Sequence, residues 1–310
     1  MIQVGIQSLG HYTPPKVLNN EDLSKLVETT DEWIMSRTGI KERRMADQET
    51  TSDMAIKAAH DCLGNNEAKD IDLLIASCGS SDKIYPTQSA QIAHALPLPN
   101  ATVIDINIAC SGLIGGMILA QSMIQSGQSK RAMVTGSEKM SAYMDYTDRA
   151  NCILFGDGAS AMTLSATNYE HPIIAVEMGS DPAGANYLTM GDRSSKGYFW
   201  QDGKNIYRFV QTKLVQVIEN LRVKADLGDE PFWMVPHQAN GRMFEAIADK
   251  TKIPLDRFVL NMDKYGNTSS ASIGIALNEA GKAGKFKKGD AIMLTGFGAG
   301  LAWAGAVIRW

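Results

Sequence analysis

Residues 101–116 of the chain read ATVIDINIACSGLIGG, an apolar run followed by Cys110 and by small residues that lead into a helical pattern. Residues 256–274, DRFVLNMDKYGNTSSASIG, repeat that order with Asn267 at the turn. An apolar run, a turn and a helix start form the repeating unit of α/β proteins. This pair of segments decides the fold prediction, because it indicates that the chain contains the same unit twice.

Two further pairs of segments extend the repeat in the same order. Residues 71–82 match residues 231–240, since both are short apolar runs that end in a polar turn. Residues 131–138 (RAMVTGSE) match residues 291–298 (AIMLTGFG). Three matches in order are hard to obtain by chance, so the sequence predicts an α/β fold built from two similar halves.

We expect the halves to span residues 1–170 and residues 171–310, each with an α/β layer. Ligands of such sheets bind outside the carboxyl ends of the strands, where the polar turns lie. If the halves pack about a pseudo-twofold axis, corresponding turns meet. That packing predicts one cleft that holds Cys110, His237 and Asn267, although they are far apart in the sequence.

Composition excludes several classes of function. The 310 residues carry a formal net charge of −4 and are 44% hydrophobic, which is typical of a globular protein without a field that attracts nucleic acid or an anionic membrane. The four cysteines and five histidines form no CxxC pair and show no metal-ligand spacing. We therefore expect no metal site, no disulfide framework, and a reducing, cytoplasmic location.

Two segments bear on export and on membrane insertion. The N-terminus lacks the basic start and the long apolar core of a secretory signal, so export is not expected. Residues 291–308 contain no charged side chain, but glycines divide them into two pieces of strand length. We expect two buried strands around a glycine turn there.

Cys110 is the candidate nucleophile. The segment after it has apolar residues at helical spacing up to Gly127, so Cys110 lies at or beside a helix N-terminus. The free N–H groups and the positive end of the helix dipole are expected to lower the pKa of the thiol. The alternative is a packed core cysteine, the commoner fate of an isolated cysteine. Cys78 competes as nucleophile, but no helix follows it directly, so we interpret it as structural.

His237 and Asn267 are the candidate partners. His237 follows an apolar strand, and a histidine there can donate a hydrogen bond or carry a proton near neutral pH. Asn267 can aim its side-chain N–H at a developing oxyanion, although a left-handed turn or a helix cap explains an asparagine after glycine equally well. The other histidines are interpreted as structural: His60 and His94 in helices, His11 and His171 in loops.

Six motifs, taken together, closely resemble the β-ketoacyl-[acyl-carrier-protein] synthase III family, the initiating condensing enzymes of type II fatty acid synthesis. They are DEWIMSRTGIKER (31–43), ACSGL (109–113), DRANCILFGDGA (148–159), VPHQAN (235–240), GNTSSAS (266–272) and GFGAGLAWAG (296–305). They occur in the family's order over nearly the whole chain. The resemblance implies an acyltransferase with a thiolase-like, duplicated five-layer αβαβα fold, acting as a homodimer.

The resemblance also implies a two-step reaction. Cys110, His237 and Asn267 correspond to the family's Cys-His-Asn triad, and Cys110 would take an acyl group, a short one such as acetyl, from acyl-CoA. His237 and Asn267 would hold the thioester carbonyl of malonyl-[acyl-carrier-protein] while CO₂ leaves. The enolate would attack the acyl-cysteine and release a β-ketoacyl product. No cofactor is expected, because acyl-CoA is a substrate.

Residues 29–39, TTDEWIMSRTG, predict a short helix capped by Thr30 and ended by Gly39. Trp33 and Arg37 then lie on one face of it. An indole beside a guanidinium suits a flat base and a phosphate, as the family uses them for CoA, although an ordinary surface pair is the alternative.

Further site residues follow from the resemblance alone. The backbone N–H groups of Cys110 and Ala299 would hold the acyl oxyanion, and Ala299 stands where a glycine is common, which restricts a positive φ. Tyr85 would cross the dimer interface and limit the acyl pocket. The CoA positions are Thr29, Trp33, Arg37, Arg149, Gly203 and Asn240, and the carrier-protein positions are Arg208 and Arg242.

Three other functions compete with this one. Acyl transfer in a specialised pathway, or transfer without decarboxylation, is left open by Ala299, by residues 200–203 (WQDG) and by the loop over residues 179–200. The intact histidine and asparagine favour decarboxylation instead. A nicotinamide-dependent oxidoreductase fails, because Leu301 stands where the third glycine of GxGxxG belongs. A silent binding partner would not need an intact triad.

Overall fold

The computed structural model describes residues 2–65, 68–191 and 197–310. Within these residues the strands β1 to β13 are Gly5–Tyr12, Val17–Asn19, Glu42–Arg44, Leu73–Ser77, Thr102–Ile106, Arg131–Glu138, Gly158–Ser165, His171–Ser180, Leu188–Thr189, Trp200–Gln201, Phe232–Pro236, Ala291–Gly298 and Ala302–Arg309. The helices α1 to α10 are Asn20–Ser24, Asp31–Thr38, Thr51–Leu63, Gln88–Ala95, Gly112–Gln125, Arg149–Cys152, Gly203–Lys224, Gly241–Thr251, Met262–Tyr265 and Ser272–Lys282.

The large sheet has the strand order β11-β12-β13-β8-β1-β7-β6-β4-β5. In its N-terminal part, β4 pairs in parallel with β5 and β6, and β7 pairs antiparallel with β6 and β1. The C-terminal part repeats this order, since β11 pairs in parallel with β12, and β13 pairs antiparallel with β12 and β8. In the C-terminal part, a parallel bridge between Met234 of β11 and Phe258 corresponds to the β4–β5 pairing of the N-terminal part.

Helices cover both parts of the sheet and separate them. Helices α3 and α4 pack on the N-terminal strands, and α7 packs on β8, β12 and β13 with α8 against it. Helices α5 and α10 lie between, because each contacts strands of both parts. Their buried residues, such as Leu113, Met117 and Ile273, belong to one apolar core with residues of both parts. The result is the predicted duplicated five-layer αβαβα fold.

Several local predictions are confirmed. Residues 291–308 form β12 and β13 around a turn, as their glycines indicate. Helix α2 begins after Thr30, whose hydroxyl accepts a hydrogen bond from the backbone N–H of Trp33, and ends at Gly39 with φ of 78°. No helix of the described residues is both long and apolar enough to cross a membrane.

Two histidines lie elsewhere than the sequence predicts. His11 belongs to β1 and His171 begins β8, so the loop prediction is wrong for both. Each lies beside a polar or glycine-containing stretch that resembles a turn, but sheet pairing outweighs that local signal. The boundary near residue 170 stays a prediction; β1 and β8 pair there through Gly5 with Pro172 and Ile6 with His171.

Candidate active site

Two turns of the same shape lead into the middle-layer helices. A 3₁₀ turn over Ala109–Ser111 precedes α5, and another over Ser269–Ala271 precedes α10. Ala109 and Ser269 have φ of 48° and 49°, so both turns begin with a left-handed residue. The predicted repeat therefore extends to the backbone of the turns, and the two turns contact one another.

The triad residues meet as the sequence predicts. Cys110, His237 and Asn267 all line one cavity of about 560 Å³. Asn267 is fixed by its own backbone, since its N–H donates to the carbonyl of Leu154 at 2.8 Å. Its Oδ1 accepts the backbone N–H of Ser269 at 2.8 Å, which leaves the amide Nδ2 as the group that can donate.

The thiol of Cys110 is enclosed. The residue is 7% exposed, and burial raises the pKa of the thiol to about 12, while a hydrogen bond with Ser269 acts in the opposite direction. The Sγ donates to the Ser269 Oγ at 3.4 Å. The expectation of a lowered thiol pKa is therefore wrong for the unliganded site, because loss of water around the anion outweighs the helix start.

His237 is a buried, neutral imidazole. Burial lowers its pKa to about 3, and a backbone hydrogen bond with Ser269 counteracts only part of that. Its Nδ1 lies 2.7 Å from the Ser272 Oγ, and its ring packs edge-on against Phe297 with centroids 5.3 Å apart. Ser272 and Phe297 thus hold the ring in one orientation.

The turn after β12 packs against the cysteine. A Cβ atom at Gly298 would lie 2.7 Å from the backbone nitrogen of Cys110. Any residue other than glycine at this position would therefore displace the backbone of Cys110. Ala299 lines the same cavity. Positive φ occurs at Gly300, at 133°, and not at Ala299, so the backbone accommodates the alanine.

A second, more open cavity of about 900 Å³ adjoins the first. Leu154, Gln201, Gly203, Tyr207 and Asn240 line both. The two cavities therefore form one path from the surface to Cys110.

The outer cavity carries the basic and aromatic side chains. Its lining includes Trp33, Arg37, Lys204, Arg208 and Arg242. The charged side chains of this rim make the mouth positive on a chain of net charge −4. Arg149 extends the rim, with its guanidinium carbon 4.6 Å from the centroid of the Trp33 ring.

Comparison with known proteins identifies the family. The chain matches the family model of 3-oxoacyl-[acyl-carrier-protein] synthase III over residues 104–182, and the model of its C-terminal region over residues 228–310. The β-ketoacyl-[acyl-carrier-protein] synthase III of Oceanobacillus iheyensis is 40% identical in an alignment of 316 residues that covers 100% of this chain and 99% of that protein. The chain belongs to the β-ketoacyl-[acyl-carrier-protein] synthase III family.

Solved structures agree with this membership. The 3-oxoacyl-[acyl-carrier-protein] synthase III of Aquifex aeolicus matches with a TM-score of 0.95 and 38% identity, covering 99% of this chain and 100% of that one. The priming β-ketosynthase of the R1128 polyketide biosynthetic pathway matches with a TM-score of 0.93 and 30% identity, covering 99% and 96%. Members of this β-ketoacyl synthase III family are condensing enzymes of the acyltransferase class.

Two residues of this β-ketoacyl synthase III family member, Thr29 and Tyr85, lie away from the path to Cys110. Thr29 is expected to contact CoA and Tyr85 to limit the acyl pocket. Thr29 lines a separate surface pocket with Thr30 and Asp31, and its hydroxyl is buried with no hydrogen-bond partner among the described residues. Tyr85 is 84% exposed and is absent from the described lining of the cavity around Cys110. Residues 192–196 of the loop over 179–200 lie outside the described residues.

Sequence reasoning missed three polar residues of this site. Ser269 contacts the candidate nucleophile Cys110, and Ser272 lies against the ring of His237. Glu138 lies behind Ser269, whose Oγ donates to the Glu138 Oε1 at 3.2 Å. The serines are part of the GNTSSAS motif, but nothing in the sequence around them indicates these contacts. Glu138 had a usable signal, because it is an acidic residue that ends an apolar strand of the repeat.

Proposed function

We propose that this protein is a decarboxylating β-ketoacyl-[acyl-carrier-protein] synthase III. It transfers a short acyl group from acyl-CoA to Cys110 and condenses that group with malonyl-[acyl-carrier-protein]. The observation that carries the proposal is the meeting of Cys110, His237 and Asn267 in one cavity that opens through a basic mouth. Cytoplasmic location and action without a cofactor are part of the same proposal.

Acylation of Cys110 is the first step. The thiol attacks the thioester carbonyl of acyl-CoA, and the backbone N–H groups of Cys110 and Ala299 stabilise the oxyanion. Gly298 supports this assignment, because its lack of a Cβ lets the turn that holds Ala299 approach the cysteine backbone. Coenzyme A leaves with its sulfur, and the acyl group stays on the Sγ.

Decarboxylation is the second step. We assign the proton of the neutral His237 ring to Nε2, with the Ser272 Oγ, which lies 2.7 Å from Nδ1, as the donor to that nitrogen. That N–H and the amide of Asn267 donate to the thioester carbonyl of the malonyl group and stabilise the enolate as CO₂ leaves. The pKa of His237, about 3, supports this role, because the ring stays a neutral donor near neutral pH.

The basic mouth fits a nucleotide and a carrier protein. Trp33 between Arg37 and Arg149 offers an aromatic face for adenine and guanidinium groups for phosphates. Arg208 and Arg242 are exposed on the rim and would receive the acidic carrier protein. Thr29 is the least supported CoA contact, because it lines another pocket.

Homodimer formation is proposed from the edge of the sheet. Strand β5 ends the strand order and is largely exposed, which leaves backbone groups that another strand can pair with. Exposed apolar side chains of the same half, Ile84, Tyr85 and Val103, would be buried in such a dimer. Tyr85 would then reach the acyl pocket of the second copy.

Intact-mass analysis tests the first step. The protein is incubated with acetyl-CoA and with longer acyl-CoA thioesters, and the mass gain is mapped to a peptide. We expect one acyl group on Cys110 from the short donors, and no adduct on the Cys110→Ser variant. Absence of an adduct on the unmodified protein with every donor would overturn the proposal.

A further inference from the structure

A buried carboxylate lies directly behind the cavity. Glu138 at the end of β6 is 0% exposed. Its Oε2 accepts the Ser80 hydroxyl at 2.6 Å and the Ser80 backbone N–H at 3.0 Å, and both oxygens accept the N–H of Gly79 at 3.1 Å. Burying an ionisable group costs free energy, so its position beside a reactive thiol calls for a functional reason.

Ser269 links this carboxylate to the nucleophile. The Cys110 Sγ donates to the Ser269 Oγ at 3.4 Å, and the Ser269 Oγ donates to the Glu138 Oε1 at 3.2 Å. Both hydrogen bonds point the same way, from the thiol through the hydroxyl to the carboxylate. Because a serine hydroxyl is both a donor and an acceptor, Ser269 can take one proton from the thiol as it gives another to the carboxylate.

We propose that Ser269 and Glu138 form a proton relay for Cys110. When Cys110 attacks acyl-CoA, the thiol proton passes to the Ser269 oxygen while the hydroxyl proton of Ser269 passes to the Glu138 carboxylate. Ser269 touches the reacting sulfur, and Glu138 acts through it. The inference rests on the proposed function, because it assigns the proton of that first step.

The proton balance closes over the two steps. In the first, the S–C bond of the acyl-cysteine forms, the S–C bond of the CoA thioester breaks, and Glu138 becomes a neutral acid. The CoA thiolate takes a proton from water. In the second, the enolate left by CO₂ forms the new C–C bond, the acyl–Sγ bond breaks, and the proton on Glu138 returns through Ser269 to the Cys110 thiolate.

The surroundings favour Glu138 over His237 as acceptor. Burial raises the pKa of Glu138, so the carboxylate is a stronger base than an exposed one. Burial lowers the pKa of His237 to about 3, which makes the ring a weak base and preserves it as a donor for the second step. The other titratable groups near Glu138 are Cys78, whose Sγ lies 3.9 Å from the Oε2, and Tyr143, and burial raises the pKa of both.

Ser270 provides a matched control. Its Oγ also donates to the Glu138 Oε1, at 2.9 Å, but the contact with Cys110 comes from Ser269. Ser269→Ala and Ser270→Ala therefore each remove one hydroxyl donor from the same carboxylate. Alanine is compatible with the backbone at position 269, because Ala109 has nearly the same φ at the matching turn.

The test is the pH profile of Cys110 reactivity. Acyl transfer from acetyl-CoA and alkylation by iodoacetamide are timed by intact mass between about pH 7 and 9 for the unmodified protein, Ser269→Ala, Ser270→Ala and Glu138→Gln. An internal base gives a rate that changes little with pH. Without it the rate follows the thiolate fraction and rises about tenfold per pH unit.

We expect flat profiles for the unmodified protein and for Ser270→Ala. Ser269→Ala and Glu138→Gln should be slower by about a hundredfold near neutral pH and should show the steep profile. A flat profile at the unmodified rate in Ser269→Ala, or equal losses in both serine variants, would overturn the relay. An unmodified protein that is alkylated but never acylated refutes the proposed function instead, while its alkylation profile still tests the relay.

Discussion

Gly298 packs against the backbone nitrogen of Cys110, at a spacing where a Cβ atom on residue 298 would lie 2.7 Å from that nitrogen. Gly298→Ala must therefore displace the N–H that we assign to the oxyanion. We expect acyl transfer from acetyl-CoA to slow by about a hundredfold. Overpacking should cost about 1–3 kcal/mol of stability, so a thermal melt must accompany the intact-mass rate. A folded variant that acylates at the unmodified rate would contradict the assignment.

Arg149 stacks on Trp33, with 4.6 Å between its guanidinium carbon and the ring centroid. Trp33→Ala and Arg149→Ala should each raise KM for acyl-CoA about two- to thirtyfold and leave kcat nearly unchanged, because a contact of this kind contributes about 0.5–2 kcal/mol to nucleotide binding. Steady-state kinetics with acetyl-CoA as the varied substrate measure KM and kcat for each variant.

The same two variants carry their own control. An acyl thioester that lacks the nucleotide, such as S-acetyl-N-acetylcysteamine, should acylate them and the unmodified protein at equal rates. If the truncated donor is affected as strongly as acetyl-CoA, Trp33 and Arg149 act on the fold of the mouth and not on the adenine nucleotide.

Tyr85 is exposed on the single chain, so its proposed role depends on the dimer. In Tyr85→Ala we expect longer acyl-CoA donors to gain rate relative to acetyl-CoA, because removal of the ring enlarges the pocket of the other copy. The neighbouring Ile84 is 67% exposed, and Ile84→Ala is the matched control that should leave the ratio unchanged. If Tyr85→Ala is a dimer and the rate ratio of longer donors to acetyl-CoA is unchanged, Tyr85 does not reach the acyl pocket of the other copy.

His237 predicts an acid-sensitive stability. Its pKa falls from 6.5 to about 3 on folding, so between these values the unfolded chain binds a proton that the folded chain does not. The free energy of unfolding is therefore unaffected by this ring above the unfolded pKa. It decreases as the pH falls below that value, by roughly 3 kcal/mol at pH 4. Urea unfolding at a series of pH values should show that the free energy of unfolding depends less steeply on pH in His237→Gln than in the unmodified protein. An equal pH dependence of the free energy of unfolding in both proteins would mean that the buried ring is not kept neutral.

The sequence carries the repeated architecture because apolar periodicity and turn residues are local signals. Helix α2 follows from Thr30 and Gly39, and β12 and β13 follow from the glycines between them. The repeat also predicts that Cys110, His237 and Asn267 lie in one cleft. Chain topology brings corresponding turns together, so the shared cavity could be inferred without any coordinates.

The electrostatics of the site could not be inferred in the same way. The helix start after Cys110 indicates a lowered thiol pKa, but the depth of burial depends on the packing of distant segments. Glu138 meets Ser269 only in the folded chain, across more than a hundred residues. The proposed role of Tyr85 depends on a second copy of the chain, and the sequence does not indicate which edge of the sheet that copy would meet.

We propose that Cys110, His237 and Asn267 together carry out a decarboxylating condensation. The direct measurement charges Cys110 with an acetyl group, adds malonyl-[acyl-carrier-protein] labelled in the departing carboxylate, and follows labelled CO₂ and the enzyme mass together. We predict one CO₂ and one β-ketoacyl-[acyl-carrier-protein] for each acyl group lost, with release slowed about a hundredfold or more in acylated His237→Ala and Asn267→Ala. Loss of the acyl group as free acid, without labelled CO₂, would contradict the claim.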